Sequence, residues 1–251
     1  MSHKIRLIAR LDVKGQNLVK GIQYEGLRKL GDPHDFAKHY YEQGIDELLY
    51  LDTVASLYGR NNLSDILQKT TQDIFIPITA GGGLRSVEDV GLVLKMGADK
   101  AAVNTAALHR PELISELAKA YGSQCVVLSV QAKRWETGWE AYFDNGRERS
   151  GKDALEWIGQ AERWGAGEIL VTSVDAEGRQ KGMDHELIAA VRQATALPVI
   201  AAGGVSGADD IVQAAKEGAD AVSAASILHY DKTSVPALKQ EILKAGVEVR
   251  A

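Results

Sequence analysis

The sequence predicts a closed (β/α)8 barrel, and three observations predict it. Short β-branched runs alternate with longer amphipathic stretches about eight times in 251 residues, the pattern of parallel strands joined by crossover helices. Residues 77–106 (PITAGGGLRSVEDVGLVLKMGADKAAVNTA) and 198–227 (PVIAAGGVSGADDIVQAAKEGADAVSAASI) repeat one another at a constant offset of 121, about half the chain. No linker or low-complexity stretch interrupts the series. Two four-unit halves close naturally on each other, which favours the barrel over an open doubly wound sheet. The expected organisation is one domain over residues 1–251, with half-barrels of about 1–122 and 123–251.

Taken in order, the strands are expected at 5–12 (IRLIARLD), 46–52 (DELLYLD), 74–80 (IFIPITA), 100–104 (KAAVN), 125–131 (CVVLSVQ), 168–173 (EILVTS), 198–203 (PVIAAG) and 220–225 (DAVSAA). Helices are expected at 33–44, 61–73, 87–97, 111–122, 153–165, 184–195, 208–218 and 236–246. Gly44, Gly97, Gly122, Gly165 and Gly218 end helical stretches, a C-terminal cap signal. Residues 13–32 and 132–152 read as the longest irregular stretches. They follow the first and fifth strands, equivalent places in the two halves, and long loops at such places are often functional.

Composition narrows the function. A net charge of −5 argues against nucleic-acid binding, whose footprint is basic. No apolar run approaches the ~20 residues that span a bilayer, and the first residues lack a signal-peptide core; a cytoplasmic protein is expected. The lone Cys125 allows no internal disulfide and reads as a small buried hydrophobe. The histidines are scattered without zinc-site spacing, so no metal is expected. The glycine pairs lack dinucleotide-binding spacing, so no cofactor is expected.

In such barrels the site lies at the carboxyl ends of the strands. Those ends supply Asp12, Asp52, Gly82, Gly83, Asn104, Gln131, Ser173, Gly203, Gly204 and Ser226. Paired glycines let backbone N–H groups approach a ligand, and a following helix N-terminus favours an anion. Two such units predict a ligand with two phosphates, one held by each half. Asn104 and Thr105 in one half, and Ala225 and Ser226 in the other, suit the far walls, and Gly178 adds a loop N–H. Asp12 is expected at the pocket mouth as a proton-exchanging carboxylate. Asp52 either meets the ligand or caps its own loop.

The segments LDVKGQNLVKG, GDPHDFAKHYYEQGIDELLYLD, both glycine units, QAKR and GAGEILVTSVDAEGRQKGMD resemble the cyclase subunit of imidazole glycerol phosphate synthase from about residue 4 to 250. The resemblance implies a heterodimer with a glutaminase whose ammonia travels through the barrel. There the ammonia meets a bisphosphate ribulosyl substrate, giving imidazole glycerol phosphate and aminoimidazole carboxamide ribotide. It further implies an acid/base pair at Asp12 and position 131, substrate contacts at Lys20, Asp52, Ser173 and Asp175, and a charged gate of Arg6, Glu47, Lys100 and Glu168. Thr79 would line the channel and Asp99 would touch the glutaminase.

Three places depart from the family pattern. Arg10 replaces a cysteine, Lys14-Gly15-Gln16-Asn17 replaces a KDGR loop, and Gln131 replaces the second catalytic aspartate. Glutamine cannot exchange a proton at working pH, and losing such a group costs about 10²–10⁴ in rate. An alternative follows: a paralogue conducting ammonia to a sugar amidotransferase that modifies an acetamido sugar in bacterial surface-polysaccharide synthesis. A phosphoribosyl isomerase is the third reading.

Overall fold

The computed structural model describes residues 4–55 and 63–250. The described strands, in order, are β1 (Arg6–Lys14), β2 (Asn17–Ile22), β3 (Glu25–Gly31), β4 (Glu47–Asp52), β5 (Ile78–Gly81), β6 (Lys100–Val103), β7 (Val126–Trp135), β8 (Gly138–Phe143), β9 (Glu148–Asp153), β10 (Glu168–Ser173), β11 (Val199–Ala202) and β12 (Ala221–Ala224). The order β10-β11-β12-β1-β4-β5-β6-β7 is parallel throughout, and β10 also pairs with β7. Eight parallel strands therefore close into the expected barrel. Four come from each half of the chain. Each expected run overlaps its strand, although residues 74–77 stay outside β5, and β1, β5 and β7 run on to Lys14, Gly81 and Trp135.

The described helices are α1 (Pro33–Glu42), α2 (Leu63–Thr70), α3 (Val87–Lys95), α4 (Thr105–His109), α5 (Glu112–Tyr121), α6 (Ala154–Arg163), α7 (His185–Ala194), α8 (Ala208–Lys216), α9 (Ser226–His229) and α10 (Val235–Lys244). The first two residues of the helix expected at 61–73 lie outside the described residues. Side-chain caps fix several starts: Asp153 accepts from Leu155 and Glu156 N–H, and Ser86 accepts from Asp89 N–H, satisfying otherwise orphaned donors. The short α4 and α9 were not expected. They begin 121 residues apart and extend the repeat. No described helix is long and apolar enough to cross a membrane.

The stretches 13–32 and 132–152 are not irregular. β1 continues into an antiparallel ladder with β2 and β3, and β7 does so with β8 and β9. Two-residue turns join three of the four pairs, and four residues, 144–147, join β8 to β9. Gln23 and Tyr24 both take positive φ (52° and 64°) between the paired Ile22 and Glu25. That conformation matches strand twist in a tight hairpin. Polar residues along these ribbons mask the alternation that marks a strand.

Alternation is clear inside the barrel. Along β1, Leu7, Ala9, Leu11 and Val13 face the helix layer, in one large core with α1, α2 and the other helices. Ile8 belongs to a separate interior cluster with Leu49, Ala102, Val127, Leu170 and Ile200. A strand's period of two puts Arg6 and Arg10 on that same inner face. At the barrel floor, Asp99 accepts a hydrogen bond from Ile78 N–H and Asp220 accepts one from Val199 N–H, each at 2.8 Å. The two halves are thus built with the same clamp.

Candidate functional site

The two glycine units open on different cavities at the carboxyl end of the barrel. The larger, about 330 Å3, is bordered by Gly82, Gly83, Asn104 and Thr105 together with Asp52 and Gln131. The smaller, about 20 Å3, is bordered by Gly178, Gly203, Gly204, Ala225 and Ser226 together with Lys20; it has room for about one water. Gly82, Gly83, Gly203 and Gly204 all have φ between 71° and 97°, a region open to glycine and costly to other residues. A methyl on Gly82 would collide with the Asp52 carbonyl, and one on Gly204 with the Gly182 carbonyl. Asn104 and Ala225 repeat one backbone conformation (φ −133°, ψ −85° and −82°).

Arg10 borders both cavities. It is 2 % exposed and belongs to a buried ring of four charges. Arg10 Nε donates to Asp12 Oδ1 at 2.7 Å, Lys20 Nζ donates to Asp12 Oδ2 at 2.9 Å, and Lys20 Nζ also donates to Glu177 Oε1. Glu177 Oε2 closes the ring 3.5 Å from Arg10 Nη1. Two cations and two anions leave no net charge, which offsets the cost of burying them. Tyr24, at the β2–β3 hairpin tip, sets its ring 5.4 Å from the Arg10 guanidinium. Below, His229 Nε2 meets the Arg10 carbonyl at 2.9 Å and must donate there, so its Nδ1 accepts from Tyr40 O–H at 2.7 Å.

This ring corrects the expectation for Asp12. It does not face a pocket mouth; it borders neither cavity, and both its oxygens already bind cations. Burial alone would raise its pKa, but Arg10 and then Lys20 outweigh burial and hold it far below the usual carboxylate range. The same ring raises Lys20 against burial, through Asp12 and Glu177. Arg10 and Asp12 meet because residues i and i+2 share a strand face. Glu177 was missed by sequence reasoning, although it immediately precedes Gly178; only the fold brings its loop to β1.

The remaining residues are placed as follows. Gln131 Oε1 accepts from Gly146 N–H at 2.7 Å. Asp52 Oδ1 accepts from Val54 and Ala55 N–H, each at 3.0 Å, so Asp52 does cap its loop. Its Oδ2 is buried without a hydrogen-bond partner, as is Asn104 Oδ1. Ser173 and Asp175 border neither cavity. Ser173 Oγ lies 3.5 Å from Asp184 Oδ2, and Asp175 Oδ2 accepts from Arg134 N–H at 2.9 Å.

At the floor, the four expected charges form a second closed ring. Arg6 donates to Glu47 at 2.7 Å and to Glu168 at 2.6 Å; Lys100 donates to Glu168 at 2.7 Å and to Glu47 at 3.4 Å. Thr79 is buried on β5 and pairs in register with Lys100. Asp99 is exposed beside this ring. No group of three histidine, cysteine, aspartate or glutamate side chains among the described residues is arranged to hold a metal.

Residues 6–234 match the family described as "Histidine biosynthesis protein". A Legionella pneumophila protein named imidazole glycerol phosphate synthase subunit HisF is 57% identical over 202 residues, covering 80% of this chain and 95% of that protein. Proteins of the same name from Mycobacteroides abscessus and Corynebacterium diphtheriae are 46% and 45% identical, covering 100% and 98% of both chains respectively.

Proposed function

This chain belongs to the histidine biosynthesis protein family, and we propose that it is the ammonia-accepting cyclase subunit of an imidazole glycerol phosphate synthase. One observation carries the reading beyond kinship: the closed Arg6–Glu47–Lys100–Glu168 ring lies beneath an apolar barrel interior whose other end holds both glycine units. The floor ring is the gate, Thr79 lines the path above it, and a glutaminase docks below. The exposed Asp99 and Phe75, 76 % exposed just before β5, belong to the docking face.

The ligand is a bisphosphate, one phosphate held by each glycine unit. Gly82, Gly83, Asn104 and Thr105 hold the first; Gly178, Gly203, Gly204, Ala225 and Ser226 hold the second, with Lys20 supplying charge. Ser173 and Asp175 support the loop that carries Glu177 and Gly178. The smaller cavity admits a phosphate only when that loop or the β2–β3 hairpin moves outward. Asp12, as a bound carboxylate, sets the position of Arg10 and Lys20, and Gln131 orients substrate through its amide. The names of the relatives lend no support to a sugar-amidation conduit or a phosphoribosyl isomerase. We place the protein in the cytoplasm.

The test is a steady-state assay with ammonium salt and the bisphosphate ribulosyl substrate, repeated with glutamine and a glutaminase subunit. Imidazole glycerol phosphate should form in both, at rates below those of a relative with two catalytic aspartates. Absence of product in the ammonium assay would refute the proposal.

A further inference from the structure

We propose that His229 is a positioning residue for the second glycine unit, fixing one wall of that unit to β1 across the seam where the last barrel strand, β12, pairs with the first. The inference rests on the cyclase reading above for its bisphosphate ligand. His229 is buried, borders neither cavity, and takes no part in the chemistry already described. It ends α9, the single turn whose first residue, Ser226, borders the smaller cavity beside Ala225. Its backbone N–H donates to the Ala225 carbonyl at 2.9 Å, so the imidazole and the cavity wall belong to one turn.

The ring is gripped by groups of the other half-barrel. Nε2 donates to the Arg10 carbonyl on β1, and Nδ1 accepts from Tyr40 O–H on α1. Both nitrogens are therefore satisfied in one tautomer. Phe36 sets its ring edge-on to the imidazole, centroids 5.8 Å apart. Arg10 borders both cavities, so its backbone is the point at which the second unit is registered against the first. The equivalent seam, between β6 and β7, is built differently. At the repeat offset of 121, His229 corresponds to Leu108 and Tyr40 to Ala161, both buried in the large apolar core. Closing a seam thus does not require a polar pair. A fully bonded buried pair adds direction and rigidity that apolar packing lacks. The second unit has use for both. Its cavity admits a phosphate when the loop carrying Glu177 or the β2–β3 hairpin moves, and the opposite wall at Ala225 and Ser226 has to stay in place while that happens.

His229→Leu is the discriminating variant, because it installs the residue that the first half carries at the equivalent position. Crystals soaked in inorganic phosphate should show the first unit occupied as in wild type and the second at less than about half its wild-type occupancy. In the ammonium assay KM for the bisphosphate should rise about tenfold, the order of one or two buried hydrogen bonds, with kcat within about threefold. His229→Gln, whose amide N–H can donate to the Arg10 carbonyl, should recover at least about threefold in KM. If His229→Leu folds poorly, Tyr40→Phe, which removes one hydroxyl, should raise KM at least about threefold with the same preference for the second unit. Folded variants that leave both units occupied as in wild type, or weaken both alike, would overturn this inference and leave the cyclase reading standing. Wild-type protein that binds phosphate at both units but forms no product would overturn the cyclase reading, and the occupancies would still decide the role of His229. Wild-type crystals with phosphate at neither unit would overturn both.

Discussion

Replacing Arg10 with methionine removes one charge from the upper ring at little change in volume. Asp12 and Glu177 would then share Lys20 alone. Breaking a buried charge set by deleting one partner costs about 3–5 kcal/mol. Lys20 still touches both carboxylates, so the lower end applies, about 3 kcal/mol. In a chain of this size each kcal/mol moves Tm by about 2–4 °C, giving a loss of about 6–12 °C. Urea and thermal unfolding at neutral pH measure it. Glu177→Gln in the Arg10→Met background restores neutrality and should recover at least about half the loss, a coupling expected of direct neighbours. An Arg10→Met protein within about 1 kcal/mol of wild type would show that the ring is not a set of mutually dependent buried charges.

Two other perturbations follow from the same region. Burial first, and then the Lys20 charge, push His229 down to about 4 from an ordinary 6.5. A lowered histidine stabilises the fold fully above pH 6.5 and loses that contribution as pH falls toward 4, in all about 3 kcal/mol. His229→Gln should flatten unfolding free energy between those values; an unchanged slope would assign it elsewhere, and the depressed Asp12 adds a separate loss at lower pH. Gly204→Ala should cost well over about 1 kcal/mol in urea, because its methyl strikes the Gly182 carbonyl. Gly15→Ala, with φ +59° but open space around it, should cost only about 1–2 kcal/mol; equal effects would mean that close packing is not what the glycine serves.

The barrel was legible because its signals are local or repeated. Each inner strand is a short apolar run, and the offset of 121 fixed both glycine units, down to the shared backbone of Asn104 and Ala225. The floor ring was legible too, through resemblance, since each of its charges opens a strand. The hairpins were not, because their outer strands Glu25–Gly31 and Glu148–Asp153 bury no residue and rely on pairing. The state of Asp12 was hidden for a different reason. Arg10 stands two residues away and Lys20 lies across the adjacent hairpin, but Glu177 comes from a loop more than 150 positions distant. No motif announces that encounter, and without it Asp12 reads as a free carboxylate.

Arg6 and Arg10 lie four residues apart on β1, so the two electroneutral rings are stacked about 13 Å apart with Ile8 and its apolar neighbours between them. A slab of this kind filters by valence more than by width. An uncharged amine crossing it sheds few solvent contacts, whereas its protonated form would meet the self-energy barrier of a low-permittivity layer with no counter-ion inside. On the proposed ammonia-accepting reading, delivery through the barrel interior would then track the deprotonated fraction at the entrance, making the flux alkaline-favoured even if neither chemical step were.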